Sequence, residues 1–121
     1  MKKLILVCML LGFSLSSYAS DSHVNMKSYH KAITKLGTKS ARKLARCHAK
    51  MDCVDSEYDI FVKKREKLLR QKLQLTVRHF QKLGKKTLKD EAKCVKESPS
   101  KADMCFEKYE GDLYNIISSI N

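Results

Sequence analysis

Two cysteines, a histidine and four carboxylates crowd the stretch "RCHAKMDCVDSEYD", which runs from Arg46 to Asp59. Thiolates, imidazoles and carboxylates are the groups that bind zinc in proteins. Cys47, His48, Asp52 and Cys53 therefore form a candidate metal site. The same residues could instead belong to a small hydrolase, or to a disulfide-bonded turn between two helices.

The spacing of the remaining residues argues against metal or enzyme chemistry. A structural zinc site needs a second close ligand pair, whereas Cys94 and Cys105 are widely spaced. His48 is followed by Ala49 rather than by a carboxylate, and no serine stands in a nucleophile-elbow pattern. The sequence therefore predicts no metal, no cofactor and no enzymatic activity. A small secreted hydrolase that depends on His48 is the third alternative.

The first nineteen residues have the pattern of a cleaved signal peptide. Two lysines precede the apolar run Leu4 to Phe13, and small residues follow at Ser17 and Ala19. Cys8 lies in this segment and is expected to leave with it. An uncut anchor helix is the alternative, although the run is shorter than the roughly 20 residues of a membrane span. Residues 20–121 are then predicted to form a single exported helical domain, periplasmic or extracellular, with the two-lysine start favouring a bacterial periplasm.

The four remaining cysteines are expected to form disulfide bonds. An even number of cysteines in a small exported chain favours disulfides over free thiols or metal ligands. The local pairs Cys47–Cys53 and Cys94–Cys105 each bracket a predicted turn, so both bonds are geometrically easy. Sequence alone leaves the two other pairings open.

The periodicity of apolar residues predicts an all-α fold. Apolar side chains recur every three to five positions, and glycine and proline are scarce. Four helices are predicted: Met26–Met51, Glu57–Leu83, Thr87 to about Glu97, and Ser100 onward. We expect a small disulfide-stabilised bundle in which the first two form a long antiparallel hairpin and the others a shorter helical pair.

Three capping boxes mark the starts of the last three helices, because each pairs a serine or threonine with an acid three residues later. The pairs are Ser56 with Asp59, Thr87 with Asp90, and Ser100 with Asp103. Gly84 follows the last apolar residue of the second helix, where a left-handed end is expected. Gly37 lies inside the first helix, at a position where glycine can kink or split it.

Charge is distributed unevenly along the chain. The whole sequence carries 25 Lys and Arg against 13 Asp and Glu. Residues 27–50 hold eight basic residues and no acid, and residues 63–86 hold ten basic residues and one acid. The turn between them is acidic, with contact candidates Asp52, Asp55 and Glu57. From Thr87 onward, acids outnumber bases by seven to five.

This pattern predicts a binding protein that acts through protein contacts, for example as an inhibitor or immunity-type protein. The alternative is a binder of anionic lipid headgroups or lipopolysaccharide, while a merely solvated basic face is equally consistent with the charge. Nucleic acid is a less suitable partner, because no known binding motif is present. The candidate anion-binding or partner-binding residues are Lys63, Lys64, Lys67, Arg70, Arg78, Lys82, Lys85 and Lys86.

Overall fold

The fold is all-helical throughout the part of the chain that the structure describes. A computed structural model describes the backbone of residues 6–119 and the side chains of residues 25–119. Its helices are α1 (Leu6–Ala45), α2 (Met51–Leu68), α3 (Val77–Leu83), α4 (Lys85–Glu97) and α5 (Ala102–Ser118). A π-helical turn, Leu69–Leu73, extends α2, and a 3-10 turn, Pro99–Lys101, precedes α5. The all-α prediction is confirmed.

The predicted signal peptide, residues 1–19, lies outside the residues whose side chains are described. Its cleavage stays a prediction. None of the helices in the described part of the chain has an apolar stretch long enough to cross a membrane.

The turn between α1 and α2 is held by a disulfide bond. Cys47 and Cys53 are joined, with their Cα atoms 5.5 Å apart. The chain reverses through His48 and Ala49, whose φ angles of 52° and 62° lie in the left-handed region. A second bond joins Cys94 to Cys105, with a Cα separation of 5.9 Å, and ties α4 to α5. Both local pairings predicted from the sequence are confirmed.

The predicted helix starts are wrong, although the helices themselves exist. Helix α2 begins at Met51, so Ser56 lies inside it rather than at its N-terminus. Helix α4 begins at Lys85, which places Thr87 in its first turn. Ser100 lies in the 3-10 turn. Lys101 is the N-cap residue of α5, and its side chain makes no capping hydrogen bond. Helix α2 begins within the disulfide-closed turn and α4 begins directly after Gly84, so the short capping motif determines neither start.

The predicted second helix is interrupted, which shortens the expected hairpin. Gln74 adopts a left-handed backbone with φ 55°, so the π-helical turn ends there. Thr76 then caps α3, because its hydroxyl accepts a hydrogen bond from the His79 amide at 3.2 Å. Helix α1 packs against both α2 and α5, while α4 packs against α5 and α2.

The core is centred on stacked aromatic rings from α2 and α5. The Phe61 and Phe106 ring centroids are 4.3 Å apart, and Tyr58 stacks on Phe106 at 6.4 Å. Helix α1 runs unbroken through Gly37, where an added Cβ would lie 3.5 Å from the Cβ of Phe106. Such a Cβ would be in ordinary van der Waals contact, so α1 and α5 pack closely here without requiring glycine.

Gly84 is required for packing rather than for a left-handed helix end. Its φ of −101° is not left-handed, which corrects the prediction from the sequence. A Cβ at this position would lie 2.6 Å from Cδ2 of Leu113, whose side chain is itself buried. Gly84 thus lets the junction between α3 and α4 pack closely against α5.

Gly84→Ala is expected to lower the free energy of unfolding by about 1–3 kcal/mol, because the added methyl overpacks the Leu113 site. Gly111→Ala in α5 is the matched control, since nothing lies within 4 Å of its added Cβ. That control is expected to gain up to about 1 kcal/mol from helix propensity. Urea unfolding of both variants measures the difference, and equal effects would contradict the packing role of Gly84.

Candidate functional site

Helix α1 presents a continuous row of cations to solvent. We define the α1 basic row as seven exposed residues, six on α1 and the last directly after its end: Lys27, Lys31, Lys35, Lys39, Arg42, Lys43 and Arg46. None of them forms an ion pair with a residue that the structure describes. From Lys27 to Lys43 the row extends for about 24 Å along the helix.

The α1 basic row lies opposite the face of α1 that packs into the core. The buried residues Met26, Tyr29, Ile33, Ala41 and Leu44 recur at steps of three to eight on the other side of the helix. Because the buried residues of α1 lie on its other side, the basic row is exposed to solvent in the part of the chain that the structure describes. The sequence showed the charge of this segment, but the residues of the row were not among the named candidate contacts.

The second basic set consists of the eight candidates between residues 63 and 86. All eight are exposed, but the break at Gln74 divides them among α2, the π-helical turn, α3 and α4. Lys63 pairs with Asp59 at 3.1 Å, and Lys86 pairs with Asp90 at 3.3 Å. Unlike the α1 basic row, these residues are therefore spread over several helical segments.

The three acidic candidates lie in the first two turns of α2. Asp52 is exposed in the first turn, where a carboxylate complements the positive end of the helix. Asp55 forms an ion pair with Lys96 of α4, with 3.7 Å between Oδ1 and Nζ. Glu57 is half-buried. The predicted acidic tip is thus partly engaged by α4.

The cysteines of the opening motif are bonded to each other, so their thiolates are not free to bind zinc. His48 is exposed at the turn. Among the described residues, no three histidine, cysteine or carboxylate side chains are arranged to hold a metal ion. The motif therefore forms a disulfide-bonded turn between α1 and α2.

A buried charge cluster links α2, α4 and α5. The Nη1 atom of Arg65 donates to Glu91 Oε1 at 2.8 Å and to Glu110 Oε2 at 2.5 Å. The hydroxyl of Tyr58 donates to the same Glu91 oxygen at 2.8 Å. Side-chain exposure is 3% for Arg65, 0% for Glu91 and 10% for Glu110. We call Arg65, Glu91, Glu110 and Tyr58 the buried charge cluster.

Aromatic rings surround the guanidinium of Arg65. Its Cζ atom lies 5.2 Å from the centroid of the Phe61 ring and 5.6 Å from that of Phe80. Burial disfavours the charged form of Arg65, but Glu110 and Glu91 outweigh burial and raise its pKa. Arg65 is therefore a permanent cation in the core.

Tyr58 of the cluster and the neighbouring Tyr29 are both held in their neutral forms. Burial raises the pKa of Tyr58 above its ordinary value, and the charge of Glu91 raises it further. Burial also raises the pKa of Tyr29, with an additional contribution from Glu110. The hydroxyl of Tyr29 is buried and has no hydrogen-bond partner among the described residues.

A groove between α1 and α5 leads from solvent to the cluster. Its volume is about 400 Å³, and its walls include His30 and Thr34 from α1 with Phe106, Glu107 and Glu110 from α5. The His30 and Tyr114 rings lie 4.8 Å apart. Glu110 is the member of the cluster that reaches this groove.

The surface of the protein can bind anions, and its core holds charged groups. The α1 basic row offers a series of exposed cations, and the buried charge cluster fixes three helices while retaining titratable carboxyl groups. Sequence reasoning did not identify Arg65, Glu91 or Glu110 as a group. Comparison of the chain with protein-family models, with curated proteins and with solved structures found no match.

Proposed function

We propose that this protein is a small exported binding protein without enzymatic activity, which docks an acidic partner protein on the α1 basic row. The proposal rests on seven exposed cations, six on α1 and one directly after its end, none of which forms an ion pair with a described residue. Like charges so close together repel one another, and an acidic surface relieves that repulsion.

Electrostatic complementarity of this kind fixes partner choice and speeds association more than it adds affinity. At about 100° per residue, the row turns about 160° around α1 over its length of about 24 Å, so it offers a broad basic surface to an acidic partner. An enzyme whose active cleft is acidic would be occluded by such a row, which is how an inhibitor or immunity-type protein acts. A toxin or a cell-wall hydrolase is a partner of this kind.

Capture from an exported-protein fraction at low salt tests the proposal. The triple variant Lys31→Glu, Lys35→Glu, Lys39→Glu reverses the middle of the row. Its matched control reverses three exposed cations elsewhere, at Lys64, Lys67 and Lys82, and so has the same net charge. Circular dichroism and urea unfolding first establish that both variants fold.

The wild-type protein and the matched control are expected to retain the same stoichiometric acidic protein, which the row variant loses. Binding should weaken as salt rises, because exposed charges are screened over about 10 Å at 0.1 M ionic strength. Capture of no protein at low salt, or equal loss in the two triple variants, would contradict docking on the row.

A second candidate function is binding to an anionic lipid surface at the junction of α3 and α4. Leu83 is 40% exposed there, and the cations Lys82, Lys85 and Lys86 flank it. Each lysine near an anionic membrane surface contributes about 1 kcal/mol. Co-sedimentation with anionic but not with neutral vesicles, reduced in Leu83→Ser, would favour this function over the first. Absence of binding to anionic vesicles at low salt would remove it.

A further inference from the structure

The buried charge cluster holds one cation against two carboxyl groups. If Glu91 and Glu110 were both ionised beside Arg65, the core would carry an uncompensated negative charge, which is costly away from water. We propose that the folded protein keeps one proton between Glu110 and Glu91, and that loss of this proton as the pH rises destabilises the fold. The cluster is then a pH-sensitive switch, independent of what binds the α1 basic row.

The hydrogen bonding of Glu91 indicates where the proton lies. Its Oε1 atom accepts from both Tyr58 and Arg65. Its Oε2 atom is buried without a partner among the described residues. The carboxyl groups of Glu91 and Glu110 both accept from the same atom, Nη1 of Arg65, so they lie side by side.

Two ionised carboxylates only accept hydrogen bonds, whereas a protonated carboxyl group donates one. Because both carboxyl groups lie against Nη1 of Arg65, a proton on either of them is available to the other. The shared proton adds a donor beside Glu91, whose Oε2 atom lacks one among the described residues. It also makes the total charge of Arg65, Glu91 and Glu110 zero.

The surroundings of Glu110 favour its neutral form. Burial, followed by the hydrogen bond to Glu91 and the charge of Glu91, raises the pKa of Glu110 well above its ordinary value, while Arg65 opposes the rise. The titratable and charged groups around Glu110 are Tyr29 from α1, Tyr58 and Arg65 from α2, and Glu91 from α4. His30 of α1 and Asp103 and Glu107 of α5 line the same groove as Glu110.

The groove between α1 and α5 gives the proton a route to solvent. Glu110 lines this groove and is 10% exposed, whereas Glu91 is fully buried. Proton exchange therefore takes place at Glu110. Ionisation there places a second negative charge against the α2–α4 side of the cluster and weakens the attachment of α5.

The direction of the pH effect follows from the raised pKa. An ordinary glutamate titrates at about 4.3, so the unfolded chain loses this proton at a lower pH than the folded protein does. Between the two pKa values the folded protein binds more protons, and its stability falls as the pH rises. The stabilisation is complete below the unfolded pKa and is lost as the pH passes the folded pKa of Glu110.

Urea unfolding of the full chain from about pH 5 to about pH 9 tests the switch, a range that lies above the ordinary pKa of glutamate. The folding equilibrium constant of the wild type should fall by about tenfold per pH unit between the two pKa values. Glu110→Gln keeps a neutral hydrogen-bonding group, so this dependence should disappear. Glu107→Gln, one turn away, and His30→Gln should each retain it.

Infrared spectroscopy of the wild type gives a readout that needs no variant. A protonated carboxyl group is expected to give its carbonyl band at neutral pH and to lose it as the pH rises. Glu107→Gln should leave the band unchanged, and Glu110→Gln should remove it. Absence of the band from the folded wild type at neutral pH would overturn the proposal, as would loss of the pH dependence in His30→Gln.

Discussion

Replacing Arg65 with methionine is expected to lower the free energy of unfolding by about 3–5 kcal/mol near neutral pH, because removal of one partner leaves buried charge uncompensated. Glu91 and Glu110 would lose the guanidinium that both now contact. Phe61 and Phe80 would lose the cation held beside their rings. Such a loss is a large fraction of the free energy of unfolding of an average domain, which is roughly 5–15 kcal/mol.

Urea unfolding measures this effect, with Lys64→Met as the control on the same helix. Lys64 is exposed, so its replacement should change stability by less than about 0.5 kcal/mol. Adding Glu91→Gln and Glu110→Gln to Arg65→Met should recover part of the loss, since no buried charge then lacks a partner. If Arg65→Met were as stable as Lys64→Met, the cluster would have no structural role.

Phe61→Ala is expected to destabilise the protein by about 3–5 kcal/mol, the usual range for removing a buried aromatic ring. The Phe61 side chain is 0% exposed, and its ring stacks on Phe106 at 4.3 Å. It also lies beneath the guanidinium of Arg65. The substitution therefore leaves a cavity between α2 and α5 and removes one of the rings that shield the charge cluster.

The denaturation midpoint of Phe61→Ala should be compared with that of Ile60→Ala. Ile60 is the preceding residue and is 40% exposed, so truncating it leaves no enclosed cavity. Phe61→Leu should lie between the two, because leucine fills part of the space. Equal midpoints for Phe61→Ala and Ile60→Ala would contradict a core centred on this ring.

Helix content and disulfide pairing were predictable because both depend on local sequence. Met26, Tyr29, Ile33 and Leu44 follow the apolar period that predicts the first helix, and all four lie in the core. The same period assigned Met51 to that face, yet Met51 is 49% exposed because α1 ends at Ala45. Periodicity identifies a helix face, but a turn can end the helix before the pattern does.

The helix boundaries were not predictable from capping motifs. Ser56 has the correct spacing from Asp59, but the chain has already entered α2 at Met51 because the disulfide-bonded turn ends at Lys50. The break at Gln74 was not predicted, because glutamine is an ordinary helix former and neither glycine nor proline marks the position. The amides of Gln74 and Leu75 both donate to the carbonyl of Leu69 at this break, and no local motif marks that arrangement.

The buried charge cluster depends on contacts between distant residues, and these were also beyond sequence reasoning. Arg65 pairs with Glu91 and Glu110 across 26 and 45 positions. In the sequence, Arg65 resembles the other cations of a basic run. One signal was present: Arg65 occupies the apolar face between Phe61 and Leu69, at a four-residue step from each. A charged residue on such a face indicates a buried partner without identifying it.

Docking on the α1 basic row is tested by the dissociation constant of one captured acidic partner, measured for three proteins. These are the wild type, the row variant reversed at Lys31, Lys35 and Lys39, and the equally charged control reversed at Lys64, Lys67 and Lys82. The row variant should bind about tenfold more weakly or worse, since loss of 1.4 kcal/mol is tenfold in affinity, and the control should stay within about twofold of the wild type. Equal weakening of the two variants would show that net charge, rather than the α1 basic row, holds the partner.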